Sequence, residues 1–592
     1  MNKKLHLAML SVAGLLPAVA QADIRAAQTT KILASSATDL APVTGTTPPR
    51  LRRTDEEQPG NEMVHTAMFG DGKSGLLFSM NTDLNGVRAN HRIQLAMVPF
   101  HLTQAADGSV SAVADLAGAR YVTDNDGNEY RNANHPIAYS VFGGTNICAE
   151  YNYQPNDGTN TKRYIQCFDT TGATVLPQTQ IYAKSNDDCS MNQDKSSTWI
   201  AKQDATVSKL VAWRGCNGNG DDDGWLQAFT LKKDAAGKVT FNETLDVSLC
   251  PREERSHGFC STSTADPNTA ICSWTEGNTQ PQRDGTWMAA VDISGAKSGQ
   301  DAILWKQMIE GRKTTAEGIN TYSMRAMHDR IMQVNATGEL EATDMVLWRS
   351  ADVRGNNNTN NGKGGTYLGN QMAVMKVGKT PPTYVMPMTN MSTKLLGLEG
   401  THLGMTSALF GTTDKLMAGF VFVSGSQLGG GYSAQLRAVG WDKGSNALKD
   451  LGMTAIAPYD RHLYPNYLGN NPGNQGRNYN GVSFIKNPFL GTNGNTDAYL
   501  ILVATSGKDP AEIQQPEKKL SVYISVVPVA QTAPSGTGSG SDTGSGSGSD
   551  TGSDQGSDGG PSQTLGGCST TGGAGGLAFI LVGLVGLIRR RK

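Results

Sequence analysis

Seven short apolar segments recur along this chain, and their recurrence constrains the fold more than any other feature. Each segment holds four or five mostly apolar residues, three of the seven end in tryptophan, and their starts lie 60 to 81 residues apart. A shorter apolar segment and a turn precede each one, and most are followed by a third and a fourth segment. The seven segments are residues 76–80, 147–151, 210–213, 270–274, 345–348, 419–423 and 500–503.

Four strands per unit of about 70 residues predict an all-β chain. We expect a seven-bladed β-propeller-like ectodomain over residues 61–530, because a propeller repeats four-stranded sheets around an axis. Tandem β-sandwich domains are the alternative, since they also contain many short strands. Residues 23–60 read as a loose N-terminal arm. The last unit lacks a fourth strand, and the strand-like residues 31–34 of this arm are available to complete it.

The N-terminus has the pattern of a secretory signal peptide over residues 1–22. Lys3 and Lys4 precede the apolar run 5–19, and an Ala-Gln-Ala site follows it. We therefore expect cleavage between Ala22 and Asp23. A first transmembrane helix is the weaker interpretation, because the apolar run is short and contains glycine and proline.

Residues 531–567 are almost entirely serine, glycine, threonine and aspartate. Such a segment cannot bury enough apolar surface to fold. We expect a disordered tether that holds the ectodomain on the order of 30 Å from its anchor.

The last segment, residues 568–592, reads as a membrane tail. An isolated cysteine, Cys568, precedes the apolar run 572–588, which is near the minimum length for a transmembrane helix. The terminal cations, residues 589–592, are expected on the cytoplasmic side, which places the ectodomain outside.

This tail resembles the myxobacterial C-terminal sorting tail, MYXO-CTERM, over about 25 residues only. In that family a cysteine among small residues precedes a glycine-rich transmembrane helix and an arginine-rich end. The resemblance implies that the helix is removed, that Cys568 carries lipid, and that the lipoprotein reaches the outer membrane surface. The alternative is an ordinary anchor in the inner membrane, with the ectodomain in the periplasm.

The charge balance excludes one class of partner. The formal net charge is −2, and removal of the signal peptide and the terminal cations takes away six positive charges, which leaves −8. A nucleic-acid-binding protein needs a basic face instead. Charged residues make up only 18% of the chain and glycine numbers 70, a composition typical of a secreted, loop-rich β-protein.

Eight cysteines are present, and an exported chain can oxidise them. Cys148 and Cys167 flank a turn-rich stretch, as do Cys260 and Cys272, so we predict these two disulfides across hairpins. Besides Cys568, the pairing of three more cysteines stays open: Cys189, Cys216 and Cys250.

Four histidines are candidates for the mouth of a central channel, because each lies 11 to 17 residues before the apolar segment of its unit: His65, His135, His257 and His402. Imidazoles gathered there could bind a metal or a substrate. The interpretation that we favour is structural, namely that each histidine hydrogen-bonds the neighbouring blade. His328 and His462 precede their own segments by 17 and 38 residues.

Calcium is the one cofactor that the sequence suggests. Asn219, Asp221 and Asp223 followed by glycine match the first half of a calcium loop, although position 12 is Thr230 rather than glutamate. The alternative is a solvated acidic turn. An aromatic and asparagine-rich stretch, residues 459–479, suits either sugar binding or packing on the propeller face.

No nucleophile elbow and no phosphate-binding loop are present, and we identify no catalytic residue. We therefore predict an exported, membrane-anchored protein that binds a protein or polysaccharide of the envelope or its surroundings. The alternative is an extracellular propeller enzyme, a glycan hydrolase or lyase, with its site at the channel mouth.

Overall fold

In the computed structural model, the described residues are 23–33, 64–83, 92–122, 134–153, 162–182, 190–191, 197–217, 222–250, 258–276, 285–311, 313–314, 320–335, 340–354, 366–390, 403–412, 415–423, 434–442, 447–456, 482–507 and 521–530. They form β-strands and two 3-10 helices, Phe142–Gly144 and Gly299–Ala302. The chain divides into two compact units, Met1–Gly536 and Thr537–Lys592, and all described residues belong to the first.

The chain begins with β1 (Asp23–Ile24) and β2 (Gln28–Leu33) and continues into sheets numbered here in chain order. Sheet one contains β3 (Val64–Met68), β4 (Ser74–Asp83), β5 (Arg92–Gln104), β6 (Val110–Ala114) and β7 (Arg120–Tyr121). Sheet two contains β8 (Asn134–Val141), β9 (Asn146–Tyr153), β10 (Lys162–Asp169) and β11 (Thr174–Tyr182).

Sheets three and four follow the same antiparallel pattern. Sheet three contains β12 (Ser190–Met191), β13 (Ser197–Gln203), β14 (Val207–Asn217), β15 (Asp222–Lys233) and β16 (Val239–Cys250). Sheet four contains β17 (Gly258–Ser261), β18 (Thr269–Glu276), β19 (Gly285–Asp292) and β20 (Ile303–Gly311).

The last three sheets are also antiparallel. Sheet five contains β21 (Lys313–Thr314), β22 (Asn320–Val334), β23 (Leu340–Arg354), β24 (Thr366–Lys376) and β25 (Thr383–Asn390). Sheet six contains β26 (Leu403–Thr412), β27 (Lys415–Val423), β28 (Ala434–Asp442) and β29 (Ala447–Ala455). Sheet seven contains β30 (Val482–Lys486), β31 (Tyr499–Gly507) and β32 (Ser521–Ala530), together with β1 and β2.

The seven sheets contact one another in a closed cyclic order. In each sheet the first long strand contacts the first long strand of the next sheet, through β3, β8, β13, β17, β22, β26 and β30, and β30 contacts β3 again. This propeller-like order differs from tandem sandwiches, in which sheets pack face to face in pairs. The seven apolar segments of the sequence all lie in the second strands, β4, β9, β14, β18, β23, β27 and β31.

The N-terminal segment completes sheet seven. Both β1 and β2 pair antiparallel with β32. The Arg25 guanidinium lies 3.0 Å from the Asp497 carboxylate, and the Ala27 backbone N–H donates to Thr454 of sheet six. Residues 31–33 of the strand-like stretch 31–34 thus complete the last unit, as the sequence led us to expect. Residues 23–24 and 28–30, expected to be loose, also form strands, because β32 offers their backbone a ladder of hydrogen bonds.

The core lies between neighbouring sheets, because alternate side chains of one strand point to opposite faces. In β4, Leu77 packs in a cluster shared with sheet seven, whereas Leu76 and Phe78 pack in a cluster shared with sheet two. In β18, Cys272 faces sheet three and Ile271 faces sheet five. Both faces of the second strands are buried, which explains why they read as continuous apolar runs.

Within the described ranges, no helix is long and apolar enough to cross a membrane. The tether at 531–567, Cys568 and the apolar run 572–588 lie outside those ranges.

Candidate functional site

The ring has two ends that differ in the connections they carry. The turns between first and second strands, such as 69–73, 142–145 and 204–206, emerge at one end, together with those between third and fourth strands. The connections between second and third strands and those between sheets emerge at the opposite end, because neighbouring strands are antiparallel. We call these the turn end and the long-connection end.

Aspartates organise the turn end. The Asp204 carboxylate accepts hydrogen bonds from the backbone N–H groups of Thr206 and Val207 at 2.8 Å, and these bonds lower its pKa. Asp292 accepts from the hydroxyl and backbone N–H of Ser294, which lowers its pKa likewise. Further turns of this kind begin at Asp71, Asp107, Asp169, Asp234 and Asp266. This end is a set of tight, internally bonded turns.

A buried polar cluster lies between sheets two and three. The Glu150 cluster, as we name it, consists of Tyr139, Glu150, Arg163, Thr198 and Arg214. One Glu150 oxygen accepts from the Tyr139 hydroxyl at 2.6 Å and from the Thr198 hydroxyl at 3.0 Å. The other oxygen lies 3.1 Å from Arg163 Nε and 3.0 Å from Arg214 Nη1. Both arginines and the glutamate are fully buried.

Strand periodicity brings the charged members together. Glu150 lies two residues beyond Cys148 on β9, and Cys148 faces sheet three. Arg214 lies two residues beyond Ala212 on β14, and Ala212 faces sheet two. Arg163 shares the face of Ile165 on β10 in the same way. The alternation of side chains therefore aims all three groups into one interface.

Electrostatics determines the protonation states in this cluster. Burial opposes ionisation of Glu150, but the charges of Arg214 and Arg163 outweigh it and lower the pKa of this carboxyl. Burial, followed by the charge of Glu150, raises the pKa of the Tyr139 hydroxyl well above its ordinary value. A phenol that donates its proton to a carboxylate in a buried site is a poor general base. In this conformation the cluster therefore serves to join two sheets.

His65 is the one predicted channel-mouth residue whose side chain is described. It lies on β3, is partly buried, and accepts a hydrogen bond at Nδ1 from the backbone N–H of Ala138 on β8, at 3.1 Å. Burial, together with the charge of Arg163, lowers the pKa of His65 to about 3. The imidazole is thus neutral and links sheets one and two.

The other predicted histidines lie at comparable positions in the chain. His135 is the second residue of β8, and His257 and His402 directly precede β17 and β26. The side chain of His135 and the whole of His257, His402 and His462 lie outside the described residues. For His135, His257 and His402, the favoured structural link to a neighbouring blade and the alternative metal or substrate site both stay predictions.

A second buried cluster joins sheets four and five at His328. The His328 ring lies between two hydroxyls, with Nε2 2.7 Å from Ser261 Oγ and Nδ1 2.7 Å from Ser273 Oγ. Arg330 donates to the hydroxyl and carbonyl of Ser261 and to the Thr343 carbonyl. Burial lowers the pKa of Arg330 to about 9. His328 is fully buried and acts as a link between these sheets.

The two predicted disulfides are present. Cys148 bonds Cys167 across β9 and β10, and Cys260 bonds Cys272 across β17 and β18. Cys250 is fully buried in the core between sheets three and four. Cys189 and the side chain of Cys216 lie outside the described residues.

The remaining candidates are only partly described. Asp223 lies on β15 opposite Cys216, whereas Asn219 and Asp221 lie outside the described residues, as does the stretch 459–479. No group of three metal-ligating side chains occurs within the described part of the chain. Calcium and sugar binding stay predictions. Asp23, the predicted first residue after signal cleavage, is the first residue of β1, and Ala22 lies outside the described residues.

Sequence reasoning missed the charged members of both buried clusters, although it named His328 among the histidines that could link neighbouring blades. The available signal was a charged residue within an apolar strand, as in Ile-Cys-Ala-Glu-Tyr at 147–151 and Ala-Trp-Arg-Gly at 212–215. Charges are almost never fully buried unless they are paired. A single glutamate and two arginines in neighbouring predicted strands could therefore have been matched to one another.

No protein-family model matches this sequence, and no curated protein matches it. Similar solved structures include the core factor of S. cerevisiae, with 9% identity and a TM-score of 0.38 over 86% of this chain and 62% of that chain. A polysaccharide lyase, an ulvan lyase bound to a GlcA–Rha3S saccharide, has 9% identity and a TM-score of 0.33 over 79% of this chain and 95% of its own. A glycoside hydrolase has 10% identity and a TM-score of 0.25 over 53% and 88%.

Proposed function

We propose that this chain is an exported, membrane-anchored protein of the cell surface. Its ectodomain is a seven-bladed β-propeller that binds an envelope or extracellular partner, a protein or a polysaccharide, without catalysing a reaction. The observation that carries the proposal is the difference between the two ends of the ring. Tight turns, many of them capped by an aspartate, lie at one end, whereas the connections at the other end are longer and polar.

The long-connection end is the proposed binding face. Binding residues concentrate on connections that a rigid scaffold positions. Here the scaffold is a set of sheets joined by buried links, including the His65 contact, the Glu150 cluster and the His328 cluster. In sheet one, the second strand ends at this face with Asp83, and the third strand begins there with Arg92. The second strands of the other sheets also end at this face, and their third strands begin there.

Export and anchoring rest on the two ends of the sequence. Signal cleavage before Asp23 would leave a chain that starts at the first residue of β1, and buried disulfides suit an oxidising compartment. The tether 531–567 and the tail 568–592 would then hold the propeller at a membrane. By its resemblance to the sorting tail, we propose lipid on Cys568 and display on the outer membrane.

A binding experiment with matched loop variants tests the proposal. Residues 23–536 would be mixed with isolated envelope polysaccharide and with envelope protein, and the bound fraction measured. Shortening the connection 355–365 to Asn-Gly should weaken binding at least tenfold if sheet five contributes to the face. Shortening residues 378–382 to Asn-Gly, at the turn end of the same sheet, should leave binding unchanged.

The same protein also tests the alternative that the chain is an enzyme. Envelope and extracellular glycans incubated with the protein would be examined for new reducing ends and for unsaturated sugar products. We expect none. Turnover of a glycan, or equal effects of the two loop variants, would contradict a non-catalytic binding face at the long-connection end.

A further inference from the structure

We propose that a small monovalent anion, of which chloride is the probe, binds beside Arg214 in the Glu150 cluster between sheets two and three. This site would be internal to the propeller and independent of the partner-binding face proposed above. Nothing in the binding function requires it, and its ligand is a single ion rather than a macromolecule.

The first argument is the charge of the cluster. Arg163 and Arg214 both contact the same oxygen of Glu150, at 3.1 and 3.0 Å, and all three side chains are fully buried. Two guanidinium ions against one carboxylate leave one positive charge in excess. Removing an ion from water costs several kcal/mol unless a counter-charge accompanies it.

The second argument is a specific donor. Arg214 Nε donates to Gln227 Oε1 at 2.9 Å, and Nη1 contacts Thr198 and Glu150. Arg214 Nη2 is buried, and none of the described residues accepts a hydrogen bond from it. Buried donors are almost always satisfied, by protein or by a bound water or ion. An anion at Nη2 would supply both the acceptor and the charge that the cluster lacks.

Among the described residues, no carboxylate besides Glu150 contacts Arg214. Gln227 Nε2 donates to the Ile181 carbonyl and to a Glu243 oxygen at 2.5 Å, so Glu243 bonds to this amide rather than to Arg214. Tyr139 and Thr198 direct their hydroxyls to Glu150 and are neutral.

Burial limits the size of the ligand. The side chains of Arg214 and Gln227 are both 0% exposed, so a saccharide or peptide cannot reach Nη2. A monoatomic anion fits this requirement and matches the single excess charge. Arginine N–H groups bind anions by charge-assisted hydrogen bonds.

Thermal and chemical unfolding at constant ionic strength test the site. The full-length protein in detergent would be compared in sodium gluconate and in increasing sodium chloride. For one site, each tenfold rise in chloride above its dissociation constant should raise the folded-to-unfolded ratio about tenfold. No chloride-specific stabilisation would overturn the proposal.

Two variants and one structure complete the test. Arg214→Lys keeps the positive charge and removes Nη2, so it should lose the chloride dependence. Arg330→Gln, which alters a buried arginine between other sheets, should destabilise the protein yet keep that dependence. A crystal grown in bromide should show anomalous scattering beside Arg214 Nη2. A water at that position, or bromide bound equally in the Arg214→Lys protein, would contradict an anion site there.

Discussion

At the scale of residues, the interfaces between sheets hold charged and titratable side chains that an apolar core would lack. Glu150 neutralises part of a two-arginine charge, and His65 is held neutral by burial and by Arg163. A buried ion pair of this kind adds little net stability compared with apolar residues, but breaking it leaves a buried charge unpaired. We therefore expect substitutions of Glu150 and of His65 to affect the stability of the protein in different ways.

Glu150→Gln should lower the free energy of unfolding by about 3 to 5 kcal/mol, because both arginines would lose their carboxylate. Urea unfolding at pH 7 measures the change. Asp301→Asn removes an exposed carboxylate from a 3-10 helix and should shift the value by less than about 0.5 kcal/mol. Equal effects of the two substitutions would contradict the role of Glu150.

The Glu150 contribution also has a defined pH dependence. Its folded pKa lies below the ordinary value of 4.5, so the stabilisation is present above that value. It should be lost as the pH falls below 4.5 and through the folded pKa. The Glu150→Gln protein should lack this part of the acid transition.

His65 predicts a second pH effect, at higher pH. Its pKa falls from 6.5 in the unfolded chain to about 3 in the folded one. Between these values the unfolded chain binds the proton and the folded one does not, so stability falls as the pH is lowered. The slope should approach 1.4 kcal/mol per pH unit for this one group.

His65→Asn is the matched variant, because the asparagine side-chain oxygen can replace Nδ1 as the acceptor for the Ala138 N–H. It should reduce the slope of stability against pH between 6.5 and 3 while changing stability at pH 8 little. Denaturant unfolding across this range measures the slope. An unchanged slope would mean that His65 is protonated in the folded protein.

At the scale of elements, disulfides and the N-terminal strands reinforce individual sheets. The Cys148–Cys167 bridge joins β9 to β10 with a sequence separation of 19. A crosslink that closes a loop of this size contributes about 2 to 4 kcal/mol, largely by restricting the unfolded chain. The N-terminal strands instead cover an edge of β32 that would otherwise be unpaired.

Replacing Cys148 and Cys167 together by alanine should therefore lower stability by about 2 to 4 kcal/mol. Cys250→Ala controls for the loss of a buried sulfur atom, and it should cost less. Reduction with dithiothreitol should destabilise the parent protein by more than it destabilises the double variant. Equal sensitivity of the two proteins to the reductant would argue against this bridge.

Ile32→Ala tests the closure of sheet seven. Ile32 is 2% exposed and packs in the cluster shared by sheets one and seven. Truncation should cost about 2 to 5 kcal/mol, whereas Gln28→Ala on the same strand removes an exposed side chain and should be nearly neutral. Similar stability of the two variants would show that β2 is not part of the cooperative unit.

These elements show what the sequence could predict. The repeat could be predicted from apolar segments such as 76–80 and 270–274. These segments are apolar throughout because both faces of the second strands are buried. Spacing alone also predicted the two disulfides. The partners of Glu150 and His328 could not be predicted, since they depend on which sheet faces which residue. The full extent of the N-terminal strands was also missed. Polar residues such as Gln28 and Thr29 pair with β32 through backbone hydrogen bonds, which the pattern of side chains does not reveal.

At the scale of the whole molecule, a ring of seven sheets is followed by a glycine- and serine-rich segment and an apolar tail. The ring is closed by residues that directly follow the predicted signal cleavage site. The tail has the composition of a membrane anchor, with Cys568 before its apolar run. We propose that residues 568–592 tie the propeller to an envelope membrane.

Cell fractionation of the intact protein and of a chain ending at Gly567 tests this anchoring. Cys568→Ala in the intact chain separates the two tail interpretations, since only the sorting tail requires the cysteine for display at the outer surface. We predict that the intact protein is recovered with membranes and that the chain ending at Gly567 is recovered in the periplasm or the medium. Membrane association of the truncated chain equal to that of the intact protein would rule out anchoring by residues 568–592.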